Sequence, residues 1–145
     1  YHLNFFGQGA EAAYLQRLVN FYSLAGRVRF AGFAAAEKIW GEHHLQILAA
    51  RGEGGPMVIT EGMICGRIAV TTRCGFTPEY IEDGGTGFLA DFATPACFGA
   101  ALERAWEQRT SWREMGCRAH AAIRSRLGDF NAPERLLKLI LENRR

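Results

Sequence analysis

The stretch Arg51-Gly-Glu-Gly-Gly-Pro-Met-Val-Ile-Thr-Glu-Gly-Met-Ile-Cys-Gly66 decides how the rest of the chain is read. An apolar run, Leu45 to Ala50, leads into it and reads as a buried strand. Pro56 stands where a helix would begin, because proline at the first helical position forfeits only an amide that would be unpaired anyway. Gly66 stands where that helix would stop, at the position past the end that favours a left-handed backbone. The stretch is therefore strand, glycine-rich turn and short helix. The first amides of that helix, on Met57, Val58 and Ile59, are expected to point outward. A helix start of this kind carries partial positive charge and suits a phosphate. Glu53 lies in the turn and Glu61 about a turn and a half into the helix, with seven residues between them.

Working outward, strands are expected at Tyr1 to Phe6, Val28 to Ala31, Ile68 to Thr72 and Gly87 to Ala90. The run Leu45 to Ala50 is expected to be the central strand, apolar enough to be covered on both faces. A helix from about Ala10 to Leu24 presents Tyr14, Leu15, Leu18, Phe21 and Tyr22 on one face and stops at Gly26. A short helix falls around Ala35 to Trp40. Thr77-Pro78-Glu79 opens another, to Glu82, by the device of cap, proline and acid. Thr94 and Pro95 start a helix to about Gln108, and Ser111 with Glu114 forms a capping box for one to about Leu127. Asn131 and Glu134 open a last helix, with Leu136, Leu137, Ile140 and Leu141 on one side. Strands alternating with helices give an α/β fold, a Rossmann-like parallel sheet flanked by helices, with a helical C-terminus. Ligands of such sheets bind beyond the carboxyl ends of the strands. The turns at Gly7, Gly32, Arg51 and Arg73 all follow strands and line that edge.

The 145 residues suffice for one domain with a core, and 48% apolar content is that of a globular protein. A net charge of +2 gives no reason to expect nucleic acid or an acidic membrane surface. No apolar run reaches the roughly 18 residues of a membrane-spanning helix. Cys65, Cys74, Cys97 and Cys117 have no C-x2-C spacing and sit among apolar neighbours; buried free thiols are expected, against a disulfide or a zinc site. His43 and His44 are adjacent, so on a strand they face opposite ways and cannot share a metal. Trp106 and Trp112 are expected in the core. No Ser-His-Asp or Cys-His arrangement can be assembled, which argues against a hydrolase with a protein nucleophile. The chain opens at Tyr1 on strand-like residues, as expected of a piece of a longer protein.

The spacing of Glu53 and Glu61, after a buried strand and before Gly62-Met-Ile-Cys-Gly-Arg-Ile-Ala-Val70, resembles the E-x7-E signature of retaining glycosyltransferases with the GT-B fold. The similarity is to glycosyltransferase family 4, also called glycosyl transferases group 1. Two further stretches carry it. Gly75-Phe-Thr-Pro-Glu-Tyr-Ile-Glu-Asp-Gly-Gly-Thr-Gly-Phe-Leu89 resembles the family's glycine, glutamate and D-G-x-T-G-x-L ending. Arg27-Val-Arg-Phe-Ala-Gly32 resembles its short strand closed by glycine. The resemblance implies the C-terminal, donor-binding half of a two-domain enzyme, with residues 1–145 as that domain and the N-terminal acceptor domain and first βα unit absent. It implies transfer of a sugar from a nucleotide diphosphate-sugar, such as a UDP- or GDP-sugar, to an acceptor hydroxyl in polysaccharide or glycoconjugate biosynthesis. No cofactor and no metal are implied, and the expected location is cytoplasmic, or peripheral at the inner membrane face.

Residue by residue, the resemblance puts Glu53 beside the donor sugar, at the catalytic position, and Glu61 on the ribose hydroxyls. Gly54, Gly55 and the amides of Met57 and Val58 line the donor, Pro56 having no amide to give. Gly75 serves a tight turn or approaches a phosphate. Glu79 starts its helix or lines the donor pocket. Phe33 packs in the core or seats the base through its backbone. Arg73 faces phosphate or is surface charge. The Arg and Lys that grip the diphosphate in the family come from a loop outside this chain. The family's central strand would precede Tyr1; without it the sheet has a gap between its first and third strands, filled by another copy or by further residues. A non-catalytic nucleotide-binding module and a GT-B-type sugar-nucleotide epimerase are the alternatives.

Overall fold

The computed structural model describes residues 2–128. The chain divides into two compact units, Tyr1–Glu42 and His43–Arg145. The helix expected from Asn131 onward lies outside the described residues.

The first unit is a βαβα run: β1 Leu3–Phe6, α1 Ala12–Phe21, β2 Val28–Gly32 and α2 Ala36–Glu42. β1 and β2 are parallel, with Leu3 opposite Val28 and Phe5 opposite Phe30. The Phe5 and Phe30 rings stack at 5.2 Å between centroids. Gly7, at φ 112°, ends β1 and donates its amide to the Gly32 carbonyl. Two expectations for α1 are corrected. The helix stops at Ser23 rather than Gly26. Ser23 takes a left-handed φ of 57°, its amide bonds the Asn20 carbonyl and that of Leu24 bonds Val19. This is a Schellman end built on serine. The inward stripe is Leu15, Leu18 and Val19, while Tyr14, Phe21 and Tyr22 are exposed.

The second unit holds β3 Leu45–Leu48, α3 Met57–Ile64, β4 Ile68–Thr72, α4 Thr77–Tyr80, β5 Phe88–Ala90, α5 Pro95–Glu107 and α6 Trp112–Leu127. Its strands are parallel in the order β3-β4-β5, with Leu45 opposite Ile68 and Val70 opposite Phe88. The strands thus form two separate sheets, β1-β2 and β3-β4-β5. β4, not β3, is the central strand of its sheet: all five of its residues are buried, whereas β3 lies at the edge and exposes Ile47. The apolar run misled because edge and centre depend on pairing, which composition does not carry. On one face of the sheet Ile68, Val70, Phe88 and Ala90 meet Phe98, Ala101 and Ala105 of α5 and Met115 of α6. On the other, Ala69 and Leu89 meet Ile59 and Met63 of α3 and Ala119 and Ile123 of α6.

Helix ends explain the boundaries. Gly66, at φ 67°, ends α3 as expected: its amide bonds the Met63 carbonyl and that of Arg67 bonds Gly62. Thr94 caps α5, accepting from the Cys97 amide at 3.3 Å, with Pro95 at the start. The expected capping box before α6 does not form. Ser111 already has helical angles, closing a 3-10 turn at Arg109–Ser111, and Glu114 pairs with Arg118 at 2.6 Å instead. Trp112 is half-buried and bonds the Ala105 carbonyl, but Trp106 is exposed, against the Arg109 guanidinium. All four cysteines are free; Cys65 and Cys117 are exposed rather than buried, and Cys74 and Cys97 are half-buried.

Candidate functional site

The quoted turn lies at the carboxyl end of β3, and the loop after β4 braces it. Phe76 donates its amide to the Gly54 carbonyl at 2.9 Å. Gly75 adopts a φ of 52° with its α-carbon hard against the turn. A Cβ there would lie 2.8 Å from the Glu53 carbonyl carbon and closer still to the carbonyl oxygens of Glu53 and Gly54. No side chain fits, so glycine is required both for backbone angle and for space. The Thr72 hydroxyl donates to the Ala50 carbonyl and ties the start of the turn to β4. The loop itself is held by Thr77, whose fully buried hydroxyl lies 2.6 Å from the Thr72 carbonyl and 2.9 Å from that of Cys74, and accepts from the Cys74 amide. Thr77 was expected to cap α4; its hydroxyl instead turns inward, and Phe76 occupies the cap position without a side-chain bond.

Pro56 is the buried cap residue of α3, at φ −68° and ψ 103°, rather than its first helical residue. The Ile59 amide bonds the Pro56 carbonyl at 3.0 Å, so it is not one of the outward donors. The amides of Met57 and Val58 have no backbone acceptor among the described residues. Both residues are exposed, Met57 at 70% and Val58 at 38%. Ile59, Thr60 and Met63 face the core, while Met57, Val58, Glu61, Ile64 and Cys65 form the outer stripe, with Glu61 half-buried. Glu61 thus lies one turn along from Met57, about 6 Å of helix rise.

The structure brings Glu53, Gly54, Gly55 and Gly75 into one cluster and sets Met57 and Val58 directly after it. Glu53 and Glu79 are exposed, Glu79 in the first turn of α4. Phe33 lies in the first unit, after β2, and at 79% exposure is not a core residue. Arg73 is paired surface charge, bonding Asp91 at 2.9 Å and Asp83 at 3.4 Å. Asp83 organises that neighbourhood: it also takes the Leu89 amide at 2.9 Å and the Arg104 guanidinium at 3.1 Å. These exposed pairs contribute about 1 kcal/mol or less each. Sequence reasoning missed Thr72, Phe76 and Tyr80. The Tyr80 hydroxyl and the Phe76 ring lie 3.6 and 3.8 Å from where a Cβ on Gly55 would be. Nothing local marks them, since each acts on a turn more than twenty residues away in the chain. Among the described residues no group of three or more His, Cys, Asp and Glu side chains is placed to hold a metal ion.

A parallel α/β sheet with a glycine turn and helix-start amides at its carboxyl edge has the geometry at which α/β folds commonly bind anionic ligands. The family of glycosyl transferases group 1 matches residues 1–108, and the chain belongs to it. It is 27% identical over 118 residues to N-acetyl-alpha-D-glucosaminyl L-malate synthase of Bacillus anthracis, covering 81% of this chain and 31% of that one. It is 28% identical over 141 residues to sucrose synthase of Acidithiobacillus caldus, covering 89% of this chain and 18% of that one. Among solved structures, Anabaena Alr3699/HepE in complex with UDP superposes with a TM-score of 0.83 at 21% identity, over 97% of this chain and 41% of that chain. The architecture is that of GT-B glycosyltransferases, parallel sheets flanked by helices. The chain spans less than half the length of each of these proteins. No helix among the described residues is long and apolar enough to cross a membrane.

Proposed function

We propose that this chain is the donor-binding, C-terminal domain of a retaining glycosyltransferase of family 4. It would hold a nucleotide diphosphate-sugar while the sugar passes to an acceptor hydroxyl supplied by the N-terminal domain of the same protein. The observation that carries this reading is the exposed start of α3, with the Met57 and Val58 amides unclaimed by backbone and Glu53 in the turn before them. As the glycosidic bond breaks, the leaving diphosphate gains negative charge. Amides preset toward that charge stabilise it more in the transition state than before, which lowers the barrier. Glu53 orients the sugar and Glu61 holds the ribose, so the reacting carbon is fixed. Gly54, Gly55 and Gly75 let the backbone approach the donor, and Glu79 contacts it at the edge. Arg or Lys from outside this chain completes the diphosphate grip. The scheme calls for no metal and no cofactor beyond the substrate. Relatives named for UDP complexes and for sucrose and glucosaminyl malate synthesis support a nucleotide-sugar donor. We place the work in polysaccharide or glycoconjugate biosynthesis in the cytoplasm, including the inner membrane face.

The test is to give the full-length protein UDP- and GDP-sugars with candidate acceptors and analyse the products. Transfer with retained anomeric configuration is expected. An epimerised nucleotide-sugar would assign the chain to a GT-B-type epimerase, and an unchanged one that still binds would assign it to a non-catalytic module.

A further inference from the structure

We infer that Phe76 is the platform on which the donor's sugar ring rests, and so separates a sugar nucleotide from the bare nucleotide diphosphate. The inference rests on the donor-binding reading above and adds to it the residue that reads the sugar. Phe76 is aromatic yet 51% exposed. It is not loose: its amide bonds the Gly54 carbonyl, the preceding Gly75 is locked against Glu53 and Gly54, and the following Thr77 hydroxyl holds the loop. Its ring edge stands within van der Waals distance of a Cβ placed on Gly55, beside the Tyr80 hydroxyl. Tyr80 in turn packs against the Ile59 and Met63 cluster, so this corner is anchored to the core. Exposed Met57 and Val58 follow two and three residues after Gly55. Exposed apolar side chains thus lie on both sides of Gly55, in the turn that carries Glu53 and leads to the unclaimed amides of Met57 and Val58.

Exposed apolar groups gathered at one turn mark a binding surface rather than a random scatter. The chemistry that fits is a ring with an apolar C–H face and a polar rim. The face lies on the aromatic ring, and the hydroxyls reach the Tyr80 hydroxyl, the carboxylate and the amides. A pyranose has that form. A nucleobase would also stack, but Phe76 is tied to Gly54 and Gly55, next to Glu53, and not to the Glu61 end of the outer stripe.

The test is calorimetric titration of the full-length protein with UDP, GDP and ADP, and with UDP-glucose, UDP-N-acetylglucosamine, GDP-mannose and ADP-glucose. For whichever pair the wild type binds, Phe76→Ala should weaken the sugar conjugate about five- to tenfold, the value of one aromatic contact. The free diphosphate should stay within about twofold of wild type, and Phe76→Tyr should restore the conjugate's affinity. Equal weakening of both ligands, or of neither, overturns the assignment of Phe76 and leaves the donor reading standing. A wild-type protein that binds none of the seven overturns both. Thermal unfolding of each variant identifies a folding defect; if Phe76→Ala is destabilised, Phe76→Leu, which keeps apolar bulk without the ring, takes its place with the same expected split.

Discussion

At the scale of single residues, two backbone positions make opposite predictions. Gly75 sits in the left-handed region with no room for a side chain beside the Glu53 and Gly54 carbonyls. Gly75→Ala adds both backbone strain and overlap, so it should destabilise the protein by roughly 2–4 kcal/mol. Chemical denaturation measures this, and the same variant should bind nucleotide-sugar more weakly because the turn must move. Ser23 is the converse case, a residue with a side chain in a place that suits glycine. Ser23→Gly relieves the left-handed penalty while adding some freedom to the unfolded chain, for a net gain of about 0.5–1 kcal/mol. A denaturation midpoint unchanged or lowered would contradict the strain argument.

At the scale of elements, α3 matters most, and both its ends are specified. Its start is left open, whereas its finish is closed twice. The Schellman bonds at Gly66 take the Met63 and Gly62 carbonyls, and His120 of α6 donates from Nδ1 to the Ile64 carbonyl. The two helices meet backbone to backbone. A Cβ on Gly116 would lie 2.9 Å from the Gly66 carbonyl carbon and inside contact distance of its oxygen. Gly116→Ala should therefore push α6 away from α3, at a cost of roughly 1–3 kcal/mol by the usual toll of overpacking. Hydrogen exchange should show faster opening of the C-terminal turn of α3, with α5 unaffected. Equal protection in both helices would mean the crossing has slack that the geometry does not suggest.

At the scale of the molecule, the parts legible in the sequence were those governed by neighbours in the chain. Pro56 and Gly66 marked the ends of α3 because caps are local, although the proline proved to be the cap residue itself. Thr94 and Pro95 marked α5 for the same reason. The order of strands was not legible. Leu45 to Leu48 looks as apolar as Ile68 to Thr72, and only pairing makes β4 the covered one. The site was half legible. Glu53, Gly54, Gly55 and Glu61 follow from one stretch, whereas the Thr72, Gly75 and Phe76 brace depends on a contact between stretches some twenty residues apart.

The central claim is that the open end of α3 receives a nucleotide diphosphate-sugar whose ribose is held by Glu61. The most direct measurement is calorimetric titration of the full-length protein and its Glu61→Ala variant with nucleotide diphosphate-sugars. Glu61 is half-buried on the outer stripe of α3, and thermal unfolding of the variant checks that it folds as the wild type does. The account predicts binding by the wild type and a loss of at least about tenfold in the variant, the worth of one charge-assisted hydrogen bond pair. Equal affinity in the two proteins, or no binding by either, would contradict it.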